Sequence, residues 1–163
     1  MARYYRNLTI TPLPSRSRAI DNDGTFTAGV AMKSAVTAVA AAESFRALAH
    51  YEALLAFETD CADVHQAFAS GNVDFVLLDV RSPALYAQGH VPGAKLLPHG
   101  KIIESKLAAY PPETVFVTYC AGPHCNGALR GAIRLARLGR PVKIMTGGVT
   151  GWLDEGFALA SGA

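Results

Sequence analysis

Two short runs, DFVLLDV at 74–80 and ETVFVTYC at 113–120, are mostly apolar, with consecutive apolar residues at their centres. Each is too short for a core helix, and neither alternates polar with apolar as a half-exposed strand would. Burial on both faces is what remains, the situation of a strand inside a sheet covered by helices on each side. The shorter runs AKLLP (94–98) and PVKIMTGG (141–148) read as further strands, and PALYAQG, KIIESKLAAY and NGALRGAIRLARLG between them read as helices. Alternation of strand and helix predicts an α/β domain, three layers deep, with a mainly parallel central sheet and right-handed crossovers. In such a sheet chemistry gathers at the carboxyl ends of the strands.

The 163 residues, half of them apolar and 17% charged, are enough for one folded domain with its own core and too apolar for a wholly disordered chain. The formal charge of +2 is unevenly placed. Arg3, Arg6, Arg16, Arg18 and Lys33 against Asp21 and Asp23 give residues 1–41 a net +3, and the remainder carries −1. A near-neutral body argues against a nucleic-acid partner. No apolar run is long enough to span a membrane. Three cysteines, an odd number, do not make a secreted disulfide framework, so a reducing cytoplasm is the expected compartment.

Residues 1–41 lack sustained periodicity and carry turn-formers in TPLPSRSR and DNDG, and they read as a flexible extension. The small residues of AVTAVAAAES would suit an export signal, but Lys33 and the distance from the start speak against one. Translation from Met32 would remove the preceding residues altogether, which the mass of the native N-terminus tests. From 42 to 56, Phe45, Leu48, Tyr51 and Leu55 recur at helical steps and form one apolar stripe, expected to pack on the domain or on a second subunit. Monomer and homodimer both remain open. The folded domain is expected over 57–160, opening with a helix that has Asp60 as N-cap, Val64, Ala67 and Phe68 on its apolar face, and Gly71 as its stop.

The chemistry is concentrated in VFVTYCAGPHCNGALRGAIRLARLG (115–139). A buried strand runs directly into Cys120, a loop with Gly122 and Pro123 follows, and an amphipathic helix begins near Asn126 or Gly127. A thiol placed between a strand end and a helix N-terminus meets free N–H groups and the positive end of the helix dipole, which favour its thiolate. Arg130 is the basic residue of that helix within reach of the loop. The residues alone leave a second reading, a buried and inert cysteine.

LLDVRSPALYAQGHVPGA (77–94), the strand–cysteine–loop–helix unit, and GGVTGW (147–152), in this order, resemble a single rhodanese domain. YCAGPHCNGA with FETD upstream is similar to a bacterial subgroup having Cys-x-Gly-Pro-x-Cys-Asn in the active loop. The resemblance implies a sulfurtransferase without an organic cofactor. Its nucleophile would be Cys120, which takes a sulfane sulfur from thiosulfate or a persulfide donor, holds it as a persulfide, and passes it to a thiol or cyanide. The cradle for that sulfur would be Ala121, Gly122, Pro123, His124, Cys125, Asn126 and Gly127, with Arg130 as electrostatic support. Partners would be a small donor, a thiol acceptor and a sulfur-carrier protein. A non-catalytic rhodanese-like interaction module is the alternative.

Where many rhodaneses carry an arginine five residues after the cysteine, this chain has Cys125. Bidentate capture of thiosulfate is thereby weakened, and a persulfide is at least as good a donor. Cys125 invites a resolving role, closing a disulfide with Cys120 and expelling the sulfur; the plainer reading has it facing the core or lining the pocket. Asp79, Arg81 and His90 are expected to form a structural network, and Gly147, Gly148 and Trp152 to pack the last strand–turn–helix beside the loop. His124 would meet substrate or stand exposed. Cys61 and His65, four apart on a helix, do not match a recognised zinc pattern with Cys120, His124 and Cys125, and no metal is expected.

Overall fold

The computed structural model describes residues 33–162. The chain divides into two units, Met1–Ala41 and Ala42–Ala163. In the first, the Thr37 N–H donates to the Ser34 carbonyl at 3.1 Å in a turn; the rest of the expected extension, positions 1–32, lies outside the described residues.

The second unit is an α/β domain. Its elements run α1 (Ser44–Phe57), β1 (Glu58–Thr59), α2 (Cys61–Ser70), β2 (Phe75–Asp79), α3 (Pro83–Gln88), β3 (Lys95–Leu96), a single 3-10 turn (His99–Lys101), α4 (Glu104–Leu107), β4 (Val115–Tyr119), α5 (Gly127–Arg137), β5 (Val142–Met145) and α6 (Gly148–Asp154). The five strands form one parallel sheet in the order β1-β5-β4-β2-β3. β4 lies at its centre, and its register against β2 sets Tyr119 beside Asp79 at the carboxyl ends of both strands.

Strand alternation divides the core in two. Leu77, Val117, Tyr119 and Met145 join Cys61, Val64 and Trp152 on the face covered by α2 and α6. Leu78, Val80 and Phe116 join Ile102, Leu107 and Leu135 on the face covered by α4 and α5. Cys120, one step beyond β4 and in phase with Phe116 and Thr118, falls on the α5 face. The Thr118 hydroxyl donates to the Ala128 carbonyl at 3.1 Å, tying β4 to the first turn of that helix.

Local signals account for the helix ends. Asp60 caps α2 by accepting from the Asp63 N–H at 2.8 Å, and Gly71 ends it at φ +75°, a conformation that costs glycine little. Ser82 caps α3 with Pro83 at its first turn.

One expected helix needs correction, one open alternative narrows, and one strand went unseen. KIIESKLAAY does not form one helix: a 3-10 turn, an extended residue at Ile102 and the single turn of α4 replace it. The carbonyls left over at its end are taken up by Arg140, whose guanidinium donates to Leu107, Tyr110 and Pro111. The stripe of α1 does not pack on the domain, since Phe45, Leu48, Tyr51 and Leu55 are all at least 60% exposed. The helix turns Ala47 and Leu54 inward instead, and Lys143 Nζ donates to the Leu55 carbonyl at 2.8 Å. Finally, the FETD segment holds the edge strand β1, paired with β5, which the sequence did not reveal as a strand.

Candidate active site

Cys120 leaves the central strand and is joined by a disulfide to Cys125, with their Cα atoms 6.2 Å apart. Cys125 is thus bonded to Cys120 while also packing against the core under α5 and lining the cleft. The loop between them folds back through a turn in which the Cys125 N–H donates to the Gly122 carbonyl at 3.0 Å. The two sulfurs lie over the start of α5, and only a glycine fits there. A Cβ on Gly127 would come within 2.8 Å of Cys120 Sγ and 3.3 Å of Cys125 Sγ.

The loop is held from the other side by α6. The Val149 N–H donates to the Cys120 carbonyl at 3.1 Å, and the Thr150 N–H donates to the Ala121 carbonyl at 2.9 Å. Thr150 Oγ1 adds a bond to the same carbonyl at 3.0 Å. Because a trans peptide sets C=O and N–H on opposite sides, these bonds turn the Ala121 and Gly122 N–H groups away from α6. Gly148 makes the close approach feasible: its φ is +59°, and a Cβ there would lie 2.5 Å from the Cys120 carbonyl oxygen.

A cleft of about 260 Å³ opens at this place, lined among others by Cys120, Gly122, Cys125, Leu129, Thr146 and Gly148. Such a volume lies just below the usual range for ligand pockets and admits only a small ligand. None of its lining side chains is charged. His124 and Pro123 are exposed in the loop, as are Ala121 and Asn126. Arg130 stands on the exposed face of α5, and its side chain makes no ion pair among the described residues. Stabilisation of an anion here falls to backbone N–H groups and the dipole of α5.

Asp79, Arg81 and His90 lie apart from the cleft. Asp79, fully buried, accepts from Arg81 Nε at 2.9 and 3.0 Å, from Arg81 Nη2, and from the Tyr119 hydroxyl at 2.8 Å. Arg81 reaches the Gly89 carbonyl as well, at 2.6 Å, and Tyr119 Oη accepts from the Val91 N–H. Burial, with the Asp79 carboxylate beside it, pushes the Tyr119 phenol above its ordinary range, so it stays a donor. His90 Nδ1 donates to the Tyr86 carbonyl at 3.0 Å with its ring stacked on Tyr86. The network fixes the segment between β2 and β3 to the end of β4.

Trp152 is buried and donates from Nε1 to the Ala158 carbonyl. Cys61 is the free thiol. Its Sγ donates to the Thr146 carbonyl at 3.3 Å and approaches that of Gly148 at 3.6 Å, beneath the Gly147–Gly148 turn. Burial first, then the Asp60 and Glu155 carboxylates, push this thiol up to about 11. His65 stacks on Phe157 at 3.9 Å, and among the described residues no cluster of three or more His, Cys, Asp or Glu is placed to hold a metal. No helix of the described residues is long and apolar enough to cross a membrane. Thr150 and Cys61 are the supports that sequence reasoning missed; GGVTGW pointed to the first as a motif, without distinguishing its threonine.

A parallel sheet of this order, with a cysteine loop between its central strand and the following helix, defines the class of α/β domain to which the molecule belongs. The model of the rhodanese-like domain matches residues 60–155, more than half of the chain, and the chain is a member of that family. The HTH-type transcriptional regulator Rv0324 of Mycobacterium tuberculosis is 35% identical over 91 residues, which make up 55% of this chain and 39% of the regulator. The chain thus corresponds to well under half of that relative. Among solved structures, the BH2092 protein of Bacillus halodurans is 35% identical with a TM-score of 0.71, covering 73% of this chain and 87% of that one. A thiosulfate sulfurtransferase of Pseudomonas aeruginosa shares the fold at 24% identity and a TM-score of 0.56, over 73% of this chain and 22% of its own.

Proposed function

We propose that the chain is a sulfurtransferase that moves a sulfane sulfur from a persulfide or thiosulfate to a thiol or cyanide through a persulfide on Cys120. With the Cys120–Cys125 bond reduced, the Cys120 thiolate attacks the sulfane sulfur, the donor's S–S bond breaks, and a thiolate or sulfite leaves. The acceptor then attacks the outer sulfur and Cys120 departs as thiolate. The carrying observation is the seat of Cys120, at the end of the central strand and over the N-terminus of α5, in a loop whose carbonyls bond to α6. Ala121 to Gly127 would form the cradle, and Arg130 would act only at a distance. A small donor and a thiol acceptor, free or on a carrier protein, in a cytoplasmic setting complete the reading.

The uncharged cleft favours a singly charged persulfide over the thiosulfate dianion, since no guanidinium offsets the second charge. Initial rates with a small-molecule persulfide and with thiosulfate, cyanide as acceptor, test this. The persulfide is expected to be preferred by about tenfold or more in kcat/KM, and Cys120→Ser to fall to background with both. Equal activity in Cys120→Ser would refute the assignment. The likeness to a transcriptional regulator favours a second reading, a non-catalytic module that binds a partner; that reading expects no turnover with either donor.

A further inference from the structure

We infer that Cys125 also makes the loop a persulfide reductase, one that releases the sulfur as hydrosulfide when no acceptor takes it. The inference rests on Cys120 taking up sulfur, and adds a fate for it. Its ground is the pairing of the two loop cysteines. Their Cα separation of 6.2 Å lies within the span that natural disulfides bridge. The turn from the Cys125 N–H to the Gly122 carbonyl brings the chain back onto Cys120, and the missing side chain at Gly127 leaves room for both sulfurs.

A sulfane sulfur on Cys120 therefore has a second nucleophile in its own loop. The Cys125 thiolate attacks Cys120 Sγ, the inner sulfur. The bond from Cys120 Sγ to the outer sulfur breaks, its electron pair leaves with the outer sulfur as hydrosulfide, and the Cys120–Cys125 bond forms. Hydrosulfide is a weaker base than a cysteine thiolate, hence the better leaving group. No outside oxidant enters: the persulfide sulfur is reduced and the cysteine pair is oxidised. Two equivalents of a thiol then reopen the disulfide and leave as their own disulfide. The net reaction turns one persulfide and two thiols into one thiol, one disulfide and hydrogen sulfide.

The position makes the direction of attack specific. Cys125 is half-buried and bonded within the loop, whereas the third cysteine, Cys61, lies under the Gly147–Gly148 turn on the other face of the sheet. Only Cys125 competes with an external acceptor. An acceptor that is scarce or excluded from the cleft would lose that competition, and the sulfur would leave as hydrosulfide.

Fully reduced protein, freed of reductant, is to be mixed with one equivalent of a small-molecule persulfide in the absence of other thiols, with hydrosulfide and the mass of the Cys120 peptide as readouts. The wild type is expected to release about one equivalent of hydrosulfide per chain and to lose two hydrogens across the Cys120–Cys125 pair. Cys125→Ser is expected to retain the added sulfur on Cys120 and to release less than about a tenth as much. If the wild type retains the sulfur with both cysteines still unlinked, the reductase inference is overturned while sulfur uptake stands. If neither protein takes up sulfur, uptake at Cys120 fails and the inference falls with it. The wild-type readout decides the matter even if Cys125→Ser folds poorly.

Discussion

Thr150 holds Ala121 twice, through its N–H at 2.9 Å and its hydroxyl at 3.0 Å, both donated to the one carbonyl. A surface helix thereby fixes the peptide that follows the candidate nucleophile. Thr150→Val keeps the shape and the N–H bond and removes the hydroxyl bond. Losing one net hydrogen bond should lower stability by about 1 kcal/mol and, because that bond positions the Ala121 peptide, should also lower kcat/KM by about fivefold with the same donor preference. A fall in stability without a fall in rate would show that the hydroxyl serves only the fold.

The three thiols should separate by alkylation. At pH 8 a thiol with a pKa of about 11 is ionised to about one part in a thousand, and Cys61 is buried besides. Before reduction no cysteine should be labelled in the folded protein; after mild reduction Cys120 and Cys125 should be labelled and Cys61 spared. The same shift carries a pH dependence of stability. The folded state holds the Cys61 proton more tightly than the unfolded chain does. The contribution is therefore complete below about pH 9 and is lost as the pH rises through about 11. Tyr119, raised in the same direction, steepens the loss at the alkaline end. Chemical denaturation at about pH 8 and about pH 10.5 should give the lower midpoint at the higher pH, and a smaller difference in Cys61→Ala.

Asp79 and Arg81 form a buried pair, and removing one partner leaves the other uncompensated. Arg81→Met should cost about 3–5 kcal/mol in urea unfolding, and Asp79→Asn combined with Arg81→Met should recover part of it. Cys120 in the folded fraction of either variant should keep its alkylation rate, because the pair touches neither the loop nor the cleft. A changed rate at full folding would give the pair a role in the site.

β2 and β4 could be read from the sequence because a strand buried on both faces leaves a continuous apolar run, and the position of Cys120 followed from where that run ends. Two-residue strands leave no such trace, which is why Glu58–Thr59 went unseen. KIIESKLAAY has apolar residues at near-helical steps, but the burial of Ile102 and Leu107 is met by a short irregular segment and Arg140 instead. The stripe on α1 was legible as a stripe, while the face turned to the domain was not, since the half-buried positions of the helix are Ala47 and Leu54, which lie off that stripe. The Cys120–Cys125 link depends on a loop conformation that no periodicity encodes, and so does the grip of Thr150 on Ala121. The sequence showed which residues gather in the loop; how their backbone is turned required coordinates.

The most direct measurement is the mass of the Cys120 peptide in Cys125→Ser after exposure to a persulfide or thiosulfate, compared with the variant that lacks both cysteines. The account predicts a gain of one sulfur atom on Cys120, reversed by cyanide, and no gain in the double variant. Absence of the added sulfur with either donor in folded Cys125→Ser would contradict it.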